Sequence, residues 1–195
     1  MEYINIILFV LVFLFIGVRI ILFAISPLLK KSNLIKVYNP LFFIRERKRN
    51  IEIHLGFARD LLFDNDASRR KTLICLASGL LKLINEIETG RISLNKTIQG
   101  NPYFFKTSNF RKFGFKEREL DFVEKIRFYL NYLELSFLKS FISKKLSLIK
   151  VDKLKIVYTD AKTLMENKHN ILLFYLRLSK FYEKSDLQMV SKTAV

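Results

Sequence analysis

The chain has 195 residues, of which 34 are Lys or Arg and 18 are Asp or Glu, so its formal net charge is +16 although half of its residues are hydrophobic. This length allows one domain, or a membrane segment followed by one domain. The charge excludes an acidic chain, and it makes anionic lipid headgroups and nucleic acid the first partners to consider. The apolar content, with 19 Phe and 8 Tyr, excludes a largely disordered chain, because enough apolar surface is available to offset chain entropy.

The N-terminal segment, residues 4–29, is almost wholly apolar. About 20 apolar residues in a helix span the hydrocarbon core of a bilayer, so this segment predicts a single transmembrane helix as an anchor over residues 1–29. Arg19 is its one charge, and it either extends to the nearby headgroups or pairs with a polar group of a partner membrane protein. A signal peptide is less favoured, because no basic side chain precedes the apolar run.

A basic segment follows at residues 30–50. Its basic residues are Lys30, Lys31, Lys36, Arg45, Arg47, Lys48 and Arg49, against the single acid Glu46. Positive flanks remain in the cytoplasm, so we expect a single-pass protein of the cell membrane with its domain inside, although the opposite orientation stays open. These charges surround an apolar patch at residues 37–44, and they either contact anionic headgroups or form a linker whose charge only fixes topology.

Helical periodicity dominates the next part of the chain. A short helix is predicted over residues 51–63, and Asp64 and Asp66 offer N-cap chemistry for a second helix over residues 67–89, which Gly90 ends. The apolar stripe of this second helix is Leu73, Leu76, Leu80, Leu83 and Ile87. Residues 91–105 contain turn signals and no period, so they predict a loop.

The longest helix is predicted from Lys116 onwards. Its apolar stripe is Val123, Ile126, Leu130, Leu133, Phe137 and Phe141, which we expect to be buried. Another stripe starts at residue 154, breaks at residues 167–170 and resumes afterwards, which allows one helix or two. These elements predict an all-α fold in which the transmembrane helix carries a helical bundle of residues 51–184, followed by a flexible tail at residues 185–195. No Gly-rich phosphate loop supports an α/β enzyme fold.

Residues 104–116 combine five Phe with four basic side chains and contain no acid. Phe110 and Phe113 could insert into a bilayer interface, or they could stack on the bases of a nucleic acid. In a third alternative the rings pack into the core and the charges are solvated. In the first two alternatives the headgroups or phosphates would be met by Lys106, Arg111, Lys112 and Lys116.

The residues that most often carry chemistry form no convincing site. His54 and His169 belong to no metal-ligand motif, and Cys75, the single cysteine, has no base nearby in sequence. Helix capping accounts for the acidic cluster at residues 60–66 better than a divalent cation does. We therefore expect neither a metal nor a cofactor.

The function that follows is a membrane-anchored, non-catalytic scaffold or accessory subunit of a membrane protein assembly. Its expected partners are anionic lipid headgroups and other proteins of that assembly. A membrane-tethered nucleic-acid-binding protein is the second hypothesis, motivated by the net charge and by residues 104–116. A lipid-modifying enzyme that uses the acidic cluster is the third.

Overall fold

The structure of the protein is a computed structural model. It describes scattered residues between positions 6 and 24, and then residues 35–56, 60, 68–102, 105, 107–150 and 154–193. Its six-stranded sheet is formed by β1 (Lys36–Asn39), β2 (Phe42–Glu46), β3 (Asn50–Leu55), β4 (Thr97–Gly100), β5 (Lys116–Glu119) and β6 (Lys155–Asp160). The helices whose two ends both lie in the described residues are α1 (Arg69–Glu88), α2 (Thr107–Arg111), α3 (Phe122–Leu130), α4 (Tyr132–Ser143), α5 (Ala161–Glu166) and α6 (Lys168–Thr193). The strand order is β1-β2-β3-β4-β6-β5, with β3 and β4 parallel and the other neighbours antiparallel.

The prediction of an all-α fold with a single transmembrane helix is wrong. A mixed sheet runs through the region in which we expected a helical bundle, so the fold is of the mixed α and β class. Within the described residues, no helix combines the length and the apolar character needed to cross a membrane. Most of the predicted span at residues 4–29, including Arg19, lies outside the described residues.

The short helix predicted over residues 51–63 is wrong at its start, where the chain forms β3. Ile51 and Ile53 are buried on one face of this strand, and His54 is exposed on the other. Alternation of apolar and polar residues with a period of two is typical of a half-buried strand. The basic segment at residues 30–50 contains β1 and β2, which pair with β3 as an antiparallel meander.

Helix α1 confirms the helix predicted over residues 67–89. The Oγ of Ser68 caps its first turn by accepting a hydrogen bond from the backbone N–H of Lys71 at 3.2 Å, and Gly90 follows its end with φ at +72°. Parallel strands need a connection that returns to the same edge of the sheet, and α1 supplies it between β3 and β4. The buried residues of its stripe are Leu76, Leu80, Leu83 and Ile87.

Two apolar clusters lie on the two faces of the sheet. The larger one packs α1 against β2, β3, β4 and β6, and it includes Phe42 and Val157. The smaller one includes Ile156 and receives side chains from α3 and α4. Because neighbouring residues of a strand point to opposite faces, Ile156 and Val157 place α3 and α4 on the face of the sheet that α1 leaves uncovered.

The helix predicted from Lys116 is divided into three elements. Its first residues form the edge strand β5, and Asp121 then begins α3 with a capping box. In this box Asp121 Oδ1 accepts from the Glu124 N–H at 2.7 Å, and Glu124 Oε2 accepts from the Asp121 N–H at 2.9 Å. Near the C-terminus, β6 replaces the expected start of a helix, and Asn167, the first residue of the predicted break, separates α5 from α6.

A buried carboxylate joins α1 to β1. Glu86 Oε2 accepts hydrogen bonds from Lys36 Nζ and from Tyr38 Oη, each at 2.7 Å. Burial, together with the carboxylate of Glu86, raises the pKa of Tyr38 well above its usual range. The phenol therefore stays protonated and remains a donor to Glu86.

We expect Glu86→Ala to lower the free energy of unfolding by about 2 kcal/mol, because the Tyr38 hydroxyl and the Lys36 ammonium lose a charged acceptor. Glu88→Ala is the matched control on the same helix. Its carboxylate pairs with Lys168 at the surface, where a salt bridge contributes less than about 1 kcal/mol. Urea titration of both variants measures the difference, and equal losses would contradict a structural role for Glu86.

Candidate functional site

Helices α3 and α4 expose apolar side chains on the side that faces away from the sheet. Phe122 is 77% exposed and Leu133 is 80% exposed. The residues that share this exposure are Phe122, Val123, Ile126, Tyr129, Leu130, Leu133, Phe137 and Phe141, and we call them the apolar helix surface. Contiguous exposed apolar surface of this kind marks contact with another protein or with a membrane.

This surface contains the stripe that the sequence predicted as buried core, and that expectation is wrong. Leu130, near its centre, is 58% exposed. The reason is that α3 and α4 carry apolar residues on two sides. Phe128, Leu135 and Leu138 occupy the side that packs on the rest of the protein, so the predicted stripe faces outwards.

Basic side chains border the apolar helix surface. In residues 122–150 the basic residues are Lys125, Arg127, Lys139, Lys144, Lys145 and Lys150, and the acids are Glu124 and Glu134. The Arg118 guanidinium donates to both carboxylate oxygens of Glu124, at 2.6 and 2.8 Å, and these hydrogen bonds hold the pKa of Glu124 below its usual range. The border of the surface is therefore positively charged.

The aromatic residues predicted to contact a ligand are buried. Phe110 is 3% exposed and Phe113 is 2% exposed, and Phe113 meets Phe174 of α6 edge to face at 5.1 Å between ring centroids. This packing agrees with the third alternative from the sequence, in which the rings pack into the core. Arg111 pairs with Glu117 at 2.7 Å at the surface. Lys112 and Lys116 are exposed, and Lys106 lies outside the described residues.

The predicted basic residues do not form one continuous surface. Arg45 is exposed on β2, and Arg47, Lys48 and Arg49 are exposed between β2 and β3. Arg47 Nε lies 3.0 Å from Glu52 Oε1. Three strands separate β2 from β5, which carries Lys116, so at about 4.8 Å per strand the two groups are roughly 20 Å apart. Lys30 and Lys31 lie outside the described residues.

The candidates for catalysis and metal binding are dispersed. His54 stacks on Phe43 with ring centroids 4.9 Å apart, and its Nε2 lies 3.7 Å from Glu52. The neighbouring imidazole of His54 and the charge of Arg47 hold the pKa of Glu52 below its usual range. In the part of the chain that the structure describes, no three His, Cys, Asp or Glu residues are grouped as metal ligands. Asp64 and Asp66 lie outside that part.

Sequence reasoning missed the apolar helix surface because a helical stripe has the same period whether it faces a core or another apolar phase. One signal was present in the sequence. The stripe in α3 and α4 is bordered mainly by Lys, as in helices that lie at a membrane interface. Comparison of the chain with models of protein families, with curated proteins and with solved structures finds no match.

Proposed function

We propose that the protein binds the surface of anionic membranes through its apolar helix surface, and that it acts there as a non-catalytic scaffold or accessory subunit of a protein assembly. The observation that carries this proposal is the exposure of large apolar side chains along both α3 and α4. Monomeric soluble proteins rarely expose an apolar surface of this kind unless it is the contact surface for a membrane or another protein.

The composition of the border favours lipid over protein as the partner. Protein interfaces are depleted in Lys, whereas helices at a membrane interface combine Phe and Leu with Lys and Arg. Five of the six basic residues in this region are Lys, and Arg127 is the other. Their long side chains can reach headgroups while the apolar side chains enter the acyl boundary.

The magnitudes are sufficient for binding. Full burial of a Leu or Phe side chain contributes about 1.5 to 3 kcal/mol, and each Lys near an anionic leaflet contributes on the order of 1 kcal/mol. Partial insertion of Leu133, Phe137 and Phe141, with two or three Lys at the headgroups, therefore reaches several kcal/mol. The affinity should fall in neutral vesicles, because only the apolar part remains.

The nucleic-acid hypothesis has weaker support in the structure than in the sequence pattern that motivated it. Stacking on bases requires exposed rings, and Phe110 and Phe113 are buried. The net charge of +16 still favours any polyanion, but it does so without sequence or base specificity.

A single Trp placed in the apolar helix surface tests the proposal, because the native chain contains no Trp. In the full-length protein, Phe137→Trp should give emission that shifts to the blue on vesicles containing phosphatidylglycerol, and brominated acyl chains should quench it. The reporter responds to α4 alone, so binding by any other segment does not affect the reading.

Leu94→Trp is the matched control, since Leu94 is also exposed but lies in the loop between α1 and β4. Its emission should remain that of a water-exposed ring. Two further double variants in the Phe137→Trp background test the role of charge. Lys125→Gln with Lys145→Gln should weaken vesicle binding, read from the emission shift, about tenfold or more. Lys112→Gln with Lys162→Gln removes the same charge elsewhere on the protein and should change the binding little. An unshifted Phe137→Trp emission on anionic vesicles would contradict the proposal.

A further inference from the structure

Basic side chains from several segments lie at one end of the sheet, the end at which β3 and β4 begin. The turn at residues 47–49 leads from β2 into β3, Lys96 directly precedes β4, and Lys162 follows the end of β6. β5 also begins near this end, where Lys116 pairs with Tyr158 of β6. We call this surface the basic end, and its residues are Arg45, Arg47, Lys48, Arg49, Lys96, Lys116 and Lys162.

Hydrogen bonds fix these segments to one another. The Thr97 N–H donates to the Arg49 carbonyl oxygen at 3.2 Å. The Ala161 N–H donates to the Lys96 carbonyl oxygen at 3.1 Å, and Lys96 Nζ donates to the Arg47 carbonyl oxygen at 3.3 Å. The backbone that carries the basic side chains is therefore fixed before a ligand binds, which lowers the entropy lost on binding.

The acidic side chains at the basic end are occupied by other groups. Glu46 pairs with Lys96, and Glu52 Oε1 lies 3.0 Å from Arg47 Nε. Asp160 caps the first turn of α5, where its side chain accepts a backbone hydrogen bond. These carboxylates neutralise part of the basic end and leave the rest of its charge available.

The charge that remains is positive and exposed. Four basic residues have exposed side chains that form no salt bridge with another described residue, namely Arg45, Lys48, Arg49 and Lys162. Lys116 is also exposed, and the acid next to it, Glu117, pairs with Arg111 at 2.7 Å. Because this charge is spread across several strands, it fits an extended polyanion better than a single phosphate.

The length of the basic end matches a short stretch of a nucleic-acid duplex. Three strands separate β2 from β5, so at about 4.8 Å per strand the surface is roughly 20 Å long. A duplex rises about 3.4 Å per base pair, so about six base pairs fit along this length. Lys and Arg contact the phosphate oxygens of a duplex, and the planar guanidinium of Arg binds them bidentately.

The side chains of the basic end favour a duplex over a membrane or a single strand. None of its seven residues is apolar or aromatic, and Leu94 is a single exposed apolar residue in the adjoining loop. Binding at a bilayer interface combines charge with inserted apolar side chains, and stacking on single-stranded bases requires exposed rings. Contact with the phosphates of a duplex requires neither.

We propose that the basic end binds the phosphate backbone of a double-stranded nucleic acid without base specificity. This goes beyond membrane binding and uses a different surface. β5 runs away from the basic end, and α3 begins after its last residue, Glu119, at the opposite end of the sheet. A protein that contacts a membrane through the apolar helix surface therefore keeps the basic end free for a duplex.

The salt dependence of duplex binding tests the proposal. A labelled DNA duplex of about 12 base pairs is titrated with the full-length protein between about 50 and 200 mM salt, and binding is followed by fluorescence anisotropy. The slope of log affinity against log salt concentration should be about −4, because each phosphate contact contributes about −0.9 through counterion release. Lys48→Gln with Lys162→Gln should make this slope less steep by about 2 and leave the melting temperature unchanged, since both side chains are exposed.

Lys125→Gln with Lys145→Gln is the matched control, because it removes the same charge from α3 and from the segment after α4. Its slope should remain that of the wild type. In the Phe137→Trp background the effects should be reversed, since Lys48→Gln with Lys162→Gln should leave vesicle binding unchanged. Duplex binding and membrane binding can therefore fail separately.

Three results would overturn the proposal. Equal changes of slope in the two double variants would mean that the duplex responds only to net charge. Loss of vesicle binding, with duplex binding intact, in Lys48→Gln with Lys162→Gln would assign the basic end to lipid. The third result is the absence of duplex binding at about 50 mM salt, where phosphate contacts are strongest.

DNA and RNA duplexes present the same phosphates in different helical geometries, so two duplexes of equal length distinguish these sources. Tighter binding of one assigns the basic end to that duplex, and equal affinities assign it to the phosphate array that both share. A single strand of the same length should bind more weakly, because its charge density is lower. Tighter binding of the single strand than of either duplex would contradict the proposal.

Discussion

Leu80→Asp will prevent cooperative folding, whereas Leu133→Asp will leave the stability of the protein almost unchanged. Leu80 is 0% exposed in α1, so the aspartate would be buried without a partner at a cost of several kcal/mol, which is comparable with the whole stability of a domain. Leu133 lies in solvent at the second residue of α4. A carboxylate in the first turn of a helix is favoured by the helix dipole, which offsets the lower helix propensity of Asp.

Thermal unfolding of both variants, followed by circular dichroism, measures this contrast. The two substitutions are chemically identical, and both fall on stripes that the sequence predicts as buried. A loss of cooperative melting with Leu133→Asp would mean that the apolar helix surface belongs to the core. Leu133→Asp should also abolish the response of the Phe137→Trp reporter to anionic vesicles, because it places a negative charge at the centre of the surface.

Gly79→Ala should destabilise the protein by about 2 kcal/mol, although alanine is the better helix former by about 1 kcal/mol. A Cβ at Gly79 would lie 2.1 Å from Phe42 Cδ1 and 2.3 Å from Phe42 Cγ. The ring of Phe42 is fully buried between α1 and the sheet, so it cannot move away without disturbing the core. The steric conflict therefore outweighs the gain in propensity.

The double variant Gly79→Ala with Phe42→Leu tests this cause. Leucine removes ring atoms from the contact, so the double variant should be less destabilised than the sum of the two single variants. Chemical denaturation of the four proteins gives the coupling free energy. Strict additivity would mean that Gly79 is required for a reason other than its contact with Phe42.

Helix α1 was predictable from the sequence because its local signals agree. The stripe that includes Leu76 and Leu83 has a helical period, and Gly90 marks the end of the helix. Both leucines of this stripe are buried in the structure, as the period predicts. The sequence also contained the alternation of β3, which we interpreted as the start of a helix. That error changed the fold class, because β3 is the strand that joins the β1–β2 hairpin to the rest of the sheet.

The candidate site was only partly predictable. The sequence identified the stripe of α3 and α4 but placed it in the core, and it identified Phe110 and Phe113 but left open whether they face a ligand or the core.

The sequence by itself determined the strongly basic character of the chain and the helix α1, and it left open whether one helix or two surround residue 167. Only the tertiary structure decided the strand β5, whose four residues are all charged. It forms because β6 supplies hydrogen bonds, and because Arg111, Lys155 and Arg118 pair with acids in and around it. The tertiary structure also decided which side of α3 and α4 is buried. Both sides are apolar, so local periodicity cannot choose between them, and the choice depends on contacts with residues distant in the chain.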